Sequence, residues 1–165
     1  MTRIPSVLAV RELFEDLLGR GVTAAVSPDP VVPSAKAPCC ISVYVTERLE
    51  TRALVVADLE LAARTGAALG LVPKGGADAA LEDRELPKNL LENFSEVTNI
   101  FASLFNLPDQ PHLKLYRVIS PGEAPPDDVI ALLRGLSSRE DLRLDIDGYG
   151  TGRLGVVLPP GVYAA

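Results

Sequence analysis

The feature that most constrains this chain is an amphipathic segment near its middle, residues 90–106, which reads LLENFSEVTNIFASLFN. Apolar residues recur in it every three or four positions, which is the spacing of one face of an α-helix. They are Leu90, Phe94, Val97, Phe101, Leu104 and Phe105. Because burial of this face should hold the helix in place, we expect it to pack against a larger core.

The opposite side of the same helix carries a line of polar residues. At about 100° per residue, they are Glu92, Glu96, Asn99 and Ser103. Glu96 and Asn99 are three positions apart, so their Cβ atoms should lie roughly 5–6 Å from each other. Both side chains could therefore touch the same small group on a partner. The alternative is an ordinary solvated face, since amphipathic helices normally have a polar outer side.

Length and composition suit a single globular domain over residues 1–165. The 47% hydrophobic content is ample for a packed core. The net charge of −6 argues against binding to nucleic acids or anionic membranes, because those partners need a positive face. No stretch approaches the roughly 18 uninterrupted apolar residues of a membrane span. Charges from Arg11 onward interrupt the N-terminal segment too early for a signal peptide, which predicts a cytoplasmic protein.

Upstream of the amphipathic segment, the pattern predicts two helices and three strands. The predicted elements are a helix over residues 5–19, a strand over 22–26, a hairpin of residues 40–46 and 51–56, and a helix capped by Asp58. Four prolines within residues 27–38 predict an irregular loop. Residues 73–88 are predicted to form a polar connection with room for one helical turn.

Downstream, the pattern predicts three more strands and a short helix. They are a strand over residues 113–119, a helix capped by Asp127 or Asp128, and strands over 142–146 and 153–158. The last two strands are joined by DGYGTG, in which Gly148, Gly150 and Gly152 are free to take positive φ. The order helix, strands, two helices, strands indicates an α+β fold rather than alternating βαβ units.

Other chemistry-bearing residues have structural explanations. Cys39 and Cys40 are adjacent, form no metal-binding pattern, and are expected to be buried at the start of a strand. His112 is expected at the surface, since no nucleophile pattern accompanies it. Asp145 and Asp147 share one face of a strand, where solvent exposure is a commoner role than cation binding. We therefore expect no metal and no cofactor in this chain.

The sequence resembles the CheC/CheX family of chemotaxis phosphatases. The resemblance is carried by residues 50–70, ETRALVVADLELAARTGAALG, followed by residues 90–105, LLENFSEVTNIFASLF. The family carries Glu-x-x-Asn on its second long helix, and Glu96-Val97-Thr98-Asn99 matches it here. Pro121, shortly after a strand, matches a further part of the pattern. The layout agrees over residues 5–158 and is most like CheX members, which have a single motif.

The resemblance implies an antiparallel sheet packed against two long central helices, with an additional N-terminal helix. It also implies hydrolysis of the aspartyl phosphate of a CheY-type response regulator. Asn99 would then orient the attacking water, and Glu96 would engage a lysine of the regulator. The Mg²⁺ would belong to the phosphorylated receiver. The family includes monomers and dimers, so a homodimer stays open.

The sequence also departs from the family pattern. Glu92 stands where Asp or Ser is usual, and Thr98 stands where Gly often precedes the motif asparagine. An extra carboxylate beside Glu96 is unfavourable for a phosphorylated partner. The alternative is therefore a catalytically silent adaptor that binds a receiver or a flagellar-switch partner. A third reading is a structural role in an unrelated assembly, with contacts through the strands or the Pro-rich loop.

Overall fold

The computed structural model describes residues 2–160 and contains one six-stranded antiparallel sheet. The helices are α1 (Val7–Leu18), α2 (Leu59–Leu69), α3 (Lys74–Asp83), α4 (Lys88–Phe101), a 3₁₀ turn (Ala102–Leu104) and α5 (Asp127–Arg134). The strands are β1 (Val22–Val26), β2 (Cys39–Val45), β3 (Thr51–Asp58), β4 (Lys114–Ile119), β5 (Ser138–Ile146) and β6 (Gly150–Leu158).

Two hairpins form the centre of the sheet. In the first, β2 pairs with β3, with Ile41 opposite Val56. In the second, β5 pairs with β6, with Leu142 opposite Leu154. Pairing of β3 with β6 joins the hairpins, and β1 and β4 form the edges, so the strand order is β1-β5-β6-β3-β2-β4. The predicted α+β class with an antiparallel sheet is confirmed.

Helices cover both faces of this sheet unequally. One face packs against α1, α2 and α4, with α3 packed on α2, and this larger core includes the fully buried Phe14, Leu61 and Phe94. The other face is covered by α5 and the Pro-rich loop through a smaller cluster that includes Val31 and Val129. The predicted packing of two long central helices against the sheet is confirmed, and the N-terminal helix lies on the same side.

Local signals explain where the first two helices begin and end. The Ser6 hydroxyl accepts the Ala9 N–H at 3.1 Å, and Gly19 ends α1 in the left-handed region with φ 65°. The Asp58 carboxylate accepts the Leu61 N–H at 2.8 Å and so caps α2 as predicted. These caps satisfy backbone donors and acceptors that a helix end would otherwise leave unpaired.

The structure corrects the prediction for residues 73–88. Instead of one helical turn, this segment contains the ten-residue helix α3. It buries only two small side chains, Ala77 and Ala80, and it has no side-chain N-cap. A helix that packs through alanines lacks the periodicity of large apolar residues, which explains why the pattern did not reveal it.

Three smaller predictions were also wrong. Pro126 is the N-cap of α5, while Asp127 and Asp128 lie in its first turn, where their charge complements the helix dipole. The last hairpin is longer than predicted, since β5 begins at residue 138 and β6 at residue 150. Gly148 and Gly150 take positive φ, but Gly152 does not. A Cβ at Gly152 would lie 2.5 Å from Leu61, so close packing of α2 requires this glycine.

No helix among residues 2–160 is long and apolar enough to cross a membrane. The predicted single domain of residues 1–165 extends beyond the described residues at both ends, and it stays a prediction.

Candidate functional site

Helix α4 lies with its apolar side in the core and its polar side in solvent. Its inward residues Leu90, Phe94, Val97 and Phe101 are at most 2% exposed. On the outward side, all four residues of the predicted polar line are exposed: Glu92, Glu96, Asn99 and Ser103. The structure therefore brings these four side chains together on one accessible face. Their functional role stays a prediction.

Contacts with α2 fix how α4 is seated. The Asn93 side chain on α4 donates a hydrogen bond of 3.0 Å to the carbonyl of Gly66 on α2. It also lies against Gly70, where an added Cβ would stand 2.3 Å from its Nδ2 atom. This buried side of α4 is therefore held by specific polar contacts as well as by apolar packing.

Glu96 and Asn99 point into solvent without side-chain partners. Among the hydrogen bonds and ion pairs of residues 2–160, none involves either side chain. Glu92 lies 3.9 Å from Lys88, one turn earlier, and both side chains are largely exposed. A carboxylate and a carboxamide about one turn apart are thus available to an incoming molecule, and a second carboxylate, that of Glu92, lies beside them and is partly neutralised by Lys88.

The C-terminal end of α4 differs from the predicted continuous helix over residues 90–106. The α-helix ends at Phe101, and Ala102–Leu104 form a 3₁₀ turn. The Ala102 N–H donates to the Asn99 carbonyl instead of the Thr98 carbonyl. Tyr44 from β2 donates its hydroxyl to that Thr98 carbonyl at 2.5 Å. The change of helix type therefore occurs beside Asn99.

Sequence reasoning missed Tyr44. The available signal was a tyrosine within the apolar run of β2, because a buried phenol hydroxyl normally has a hydrogen-bond partner. A second missed residue is Asn106. Its side chain donates to the Leu113 carbonyl at 2.8 Å and accepts the Leu113 N–H at 2.7 Å. These bonds tie the segment after α4 to the start of β4.

The burial of the two cysteines and the exposure of His112 and the two aspartates agree with the predictions. Cys39 and Cys40 are buried, and burial raises the pKa of each thiol to about 12. His112 is exposed, as is the Asp145–Asp147 pair. Within residues 2–160, no group of three or more His, Cys, Asp or Glu residues is arranged to hold a metal ion. Pro121 follows the end of β4 at Ile119, so it lies shortly after a strand as predicted.

No protein-family model and no curated protein matches this sequence. Solved structures do match over nearly the whole chain. The FliM middle domain from H. pylori is 10% identical, with a TM-score of 0.65 over 93% of this chain and 84% of that one. Thermotoga maritima FliY is 14% identical, with a TM-score of 0.59 over 91% and 82%.

Another matching structure contains CheX, a member of the family that the sequence resembles. The CheX–CheY–BeF₃–Mg²⁺ complex from Borrelia burgdorferi matches with 11% identity and a TM-score of 0.55, over 92% of this chain and 93% of that one. Identities this low establish the fold and leave activity open. The chain thus has the CheC/CheX-like fold that its sequence predicted, and it shares that fold with FliM and FliY.

Proposed function

We propose that this chain is a CheX-like phosphatase that hydrolyses the aspartyl phosphate of a CheY-type receiver in chemotaxis signalling. One observation carries the proposal: Glu96 and Asn99 are exposed one turn apart on α4. A motif that docks a partner and acts on it must be accessible to that partner, and both side chains are. The solved complex of CheX with CheY supports the choice of partner class, since its CheX subunit has the same fold.

Asn99 is the residue that we propose as catalytic. A carboxamide carries both a donor and an acceptor, so it can donate to a phosphoryl oxygen and accept from the attacking water. An aspartyl phosphate is already reactive, and positioning with electrostatic stabilisation can supply much of the remaining acceleration. The contact before Asn99 favours such a role, because the Thr98 carbonyl accepts a hydrogen bond from the buried Tyr44 hydroxyl.

Glu96 is proposed to dock the receiver. A carboxylate on an exposed helix can pair with a lysine ammonium in a charge-assisted hydrogen bond. Since Glu96 has no partner within residues 2–160, this pair would not compete with an internal ion pair. The same helix face would then supply both binding and chemistry.

The proposal assigns Mg²⁺ to the receiver and no cofactor to this chain. The divalent ion would neutralise phosphoryl charge from the partner's side. Chelation should therefore abolish accelerated hydrolysis while leaving the thermal stability of the isolated chain unchanged.

A cytoplasmic location, as predicted from the sequence, is part of the proposal. Light scattering would test whether a homodimer forms.

The central experiment measures decay of phosphate on a CheY-type receiver from the same genome. Asn99→Ala should lower the catalysed rate by roughly a hundredfold, a typical loss when one preorganised polar group is removed. Asn89→Ala provides the matched control, since Asn89 is an exposed asparagine near the other end of α4. Identical decay with wild type and Asn99→Ala would disprove catalysis by Asn99.

Docking is tested separately by receiver affinity. Glu96→Gln keeps the shape of the side chain and removes its charge, and it should weaken binding roughly tenfold. Glu82→Gln, at an exposed position on α3, is the control and should leave affinity unchanged. If Glu96→Gln binds as tightly as wild type, the docking role is wrong.

A second candidate function is a silent adaptor that binds a receiver or flagellar-switch partner without turnover. The observation that favours it is the match to FliM, with a TM-score of 0.65 compared with 0.55 for the CheX complex. A FliG–FliM complex from H. pylori matches with a TM-score of 0.61. An adaptor should bind phosphorylated receiver preferentially and leave its decay rate unchanged, which the same assay measures.

A further inference from the structure

We infer that the Tyr44 hydroxyl is a positioning group for Asn99, because it holds the Thr98 carbonyl where α4 changes to a 3₁₀ turn. The effect that we expect on the rate of hydrolysis rests on the proposed function. Tyr44 contacts neither the solvent face nor any group that a receiver could present, since its side chain is fully buried. It would act on the reaction only through the backbone of α4.

The hydrogen bond from the Tyr44 hydroxyl takes the place of a backbone hydrogen bond that is missing at the end of α4. In a continuous α-helix, the Thr98 carbonyl would accept the N–H of residue 102. Here the Ala102 N–H donates to the Asn99 carbonyl, and the Tyr44 hydroxyl donates to the Thr98 carbonyl at 2.5 Å. Thr98 is buried, so an unpaired carbonyl at this position would be costly. The Tyr44 hydroxyl therefore stabilises the 3₁₀ turn over continued α-helix.

The geometry of this bond reaches Asn99 directly. The Thr98 carbonyl belongs to the peptide unit that ends at the Asn99 Cα atom, and that unit is planar. Fixing the carbonyl oxygen therefore fixes the orientation of the peptide plane from which Asn99 departs. Asn99 contributes its own carbonyl to the 3₁₀ turn that follows. Its backbone is thus constrained on both sides.

Tyr44 itself is held in place by the irregular pairing of β2 and by aromatic side chains at and just after the end of α4. The β2 strand is irregular at Tyr44 in its pairing with both β3 and β4, and such bulges redirect a side chain. The Tyr44 ring packs edge to face on Phe105, with centroids 5.2 Å apart. Phe105 in turn packs against Phe101 at the end of α4.

The phenol is also kept in its donor form. Burial raises the pKa of Tyr44, so the hydroxyl stays protonated throughout the pH range of an enzyme assay. A protonated hydroxyl on a fixed ring donates in one of two directions within the ring plane, and one of them meets the Thr98 carbonyl. The chain therefore supplies, from the strand beside the β4 edge of its sheet, a buried support for the exposed asparagine. Such support matters because a misplacement of about 1 Å can cost roughly a hundredfold in rate.

The test is Tyr44→Phe, which removes one oxygen atom and keeps the ring. With phosphorylated receiver, we expect kcat to fall roughly tenfold and receiver affinity to change less than about twofold. Tyr149→Phe is the matched control. Tyr149 is also buried and donates its hydroxyl to a backbone carbonyl, that of Val72, at 2.6 Å. Its bond lies at the α2–α3 connection, so kcat should match wild type.

A second readout does not depend on catalysis. Backbone amide chemical shifts and hydrogen exchange of Asn99, Ala102 and Ser103 should change in Tyr44→Phe and stay unchanged in Tyr149→Phe. If wild type is active and Tyr44→Phe has the same kcat, the inference is overturned and the proposed function stands. If wild type shows no activity, the proposed function fails, and the amide data decide the positioning role. Unchanged amides in Tyr44→Phe would overturn it.

Discussion

Gly66 on α2 lies directly against the backbone of Leu90 on α4, and a Cβ atom at Gly66 would stand 2.4 Å from the Leu90 carbonyl oxygen. Such a distance is far below van der Waals contact, so only glycine fits where these two helices cross. The crossing positions the first turns of α4 and hence the direction of its exposed face. Stability and the orientation of the candidate site therefore depend on the same contact.

Gly66→Ala should lower the free energy of unfolding by about 1–3 kcal/mol, because the added methyl group forces the helices apart. Gly75→Ala is the control, since a Cβ at Gly75 on α3 meets nothing within 4 Å. It should be neutral or stabilising by up to about 1 kcal/mol, from helix propensity alone. Urea unfolding followed by circular dichroism measures both. Equal stabilities would contradict the tight crossing.

Asp58 caps α2 and also contacts β6 through its carboxylate. Substitution by alanine and by asparagine should therefore lower the free energy of unfolding by different amounts. Its carboxylate accepts the Leu61 N–H at 2.8 Å and the Arg153 N–H at 3.1 Å. Asp58→Ala should cost about 1–2 kcal/mol of unfolding free energy, because both donors lose their partner. Asp58→Asn keeps an acceptor oxygen and should cost less. Thermal or urea unfolding at neutral pH distinguishes them.

The same residue predicts a pH dependence. Burial raises the pKa of Asp58 and outweighs the opposing effect of Arg153. The folded state therefore holds this proton more tightly than the unfolded state. The contribution of Asp58 to stability is greatest at low pH and falls as pH rises through its folded pKa. Wild type should lose stability relative to Asp58→Asn over that acidic range, and parallel pH profiles would contradict this.

The two cysteines should be chemically inert in the folded protein. Burial raises the pKa of Cys39 and Cys40 to about 12, so almost no reactive thiolate exists at pH 8. We expect a thiol reagent such as DTNB to label neither cysteine in the native chain and both after unfolding in guanidinium chloride. Rapid labelling of one cysteine at pH 8 without denaturant would show that β2 opens locally.

The elements predicted well from sequence are those whose burial depends on large side chains. The apolar residues of α4 and the β-branched run of β2 indicated their structures, because periodicity reports which face is buried. Helix α3 escaped prediction because it packs through Ala77 and Ala80. Gly152 was assigned to a turn, whereas it provides close contact with Leu61. A glycine needed for packing and one needed for positive φ look identical in a single sequence.

In the candidate site, too, some features could be predicted from periodicity and others could not. The exposure of Glu96 and Asn99 follows from the helical period, so it could be predicted. The 3₁₀ turn after Phe101 could not be, because it depends on a hydroxyl from β2, which is distant in sequence. Local patterns predict which residues a helix presents to solvent. The backbone geometry that supports them is set by tertiary contacts.

Glu92 predicts an electrostatic effect on receiver binding. Its carboxylate is exposed and only weakly paired with Lys88, at 3.9 Å, so it adds negative charge beside Glu96. Glu92→Gln should tighten binding of phosphorylated receiver by roughly twofold to fivefold at low ionic strength, since like charges repel. The gain should shrink in 0.5 M NaCl, where the Debye length is only about 4 Å. Glu82→Gln on α3 is the control, and an equal gain with it, or a gain that persists at high salt, would rule out local repulsion.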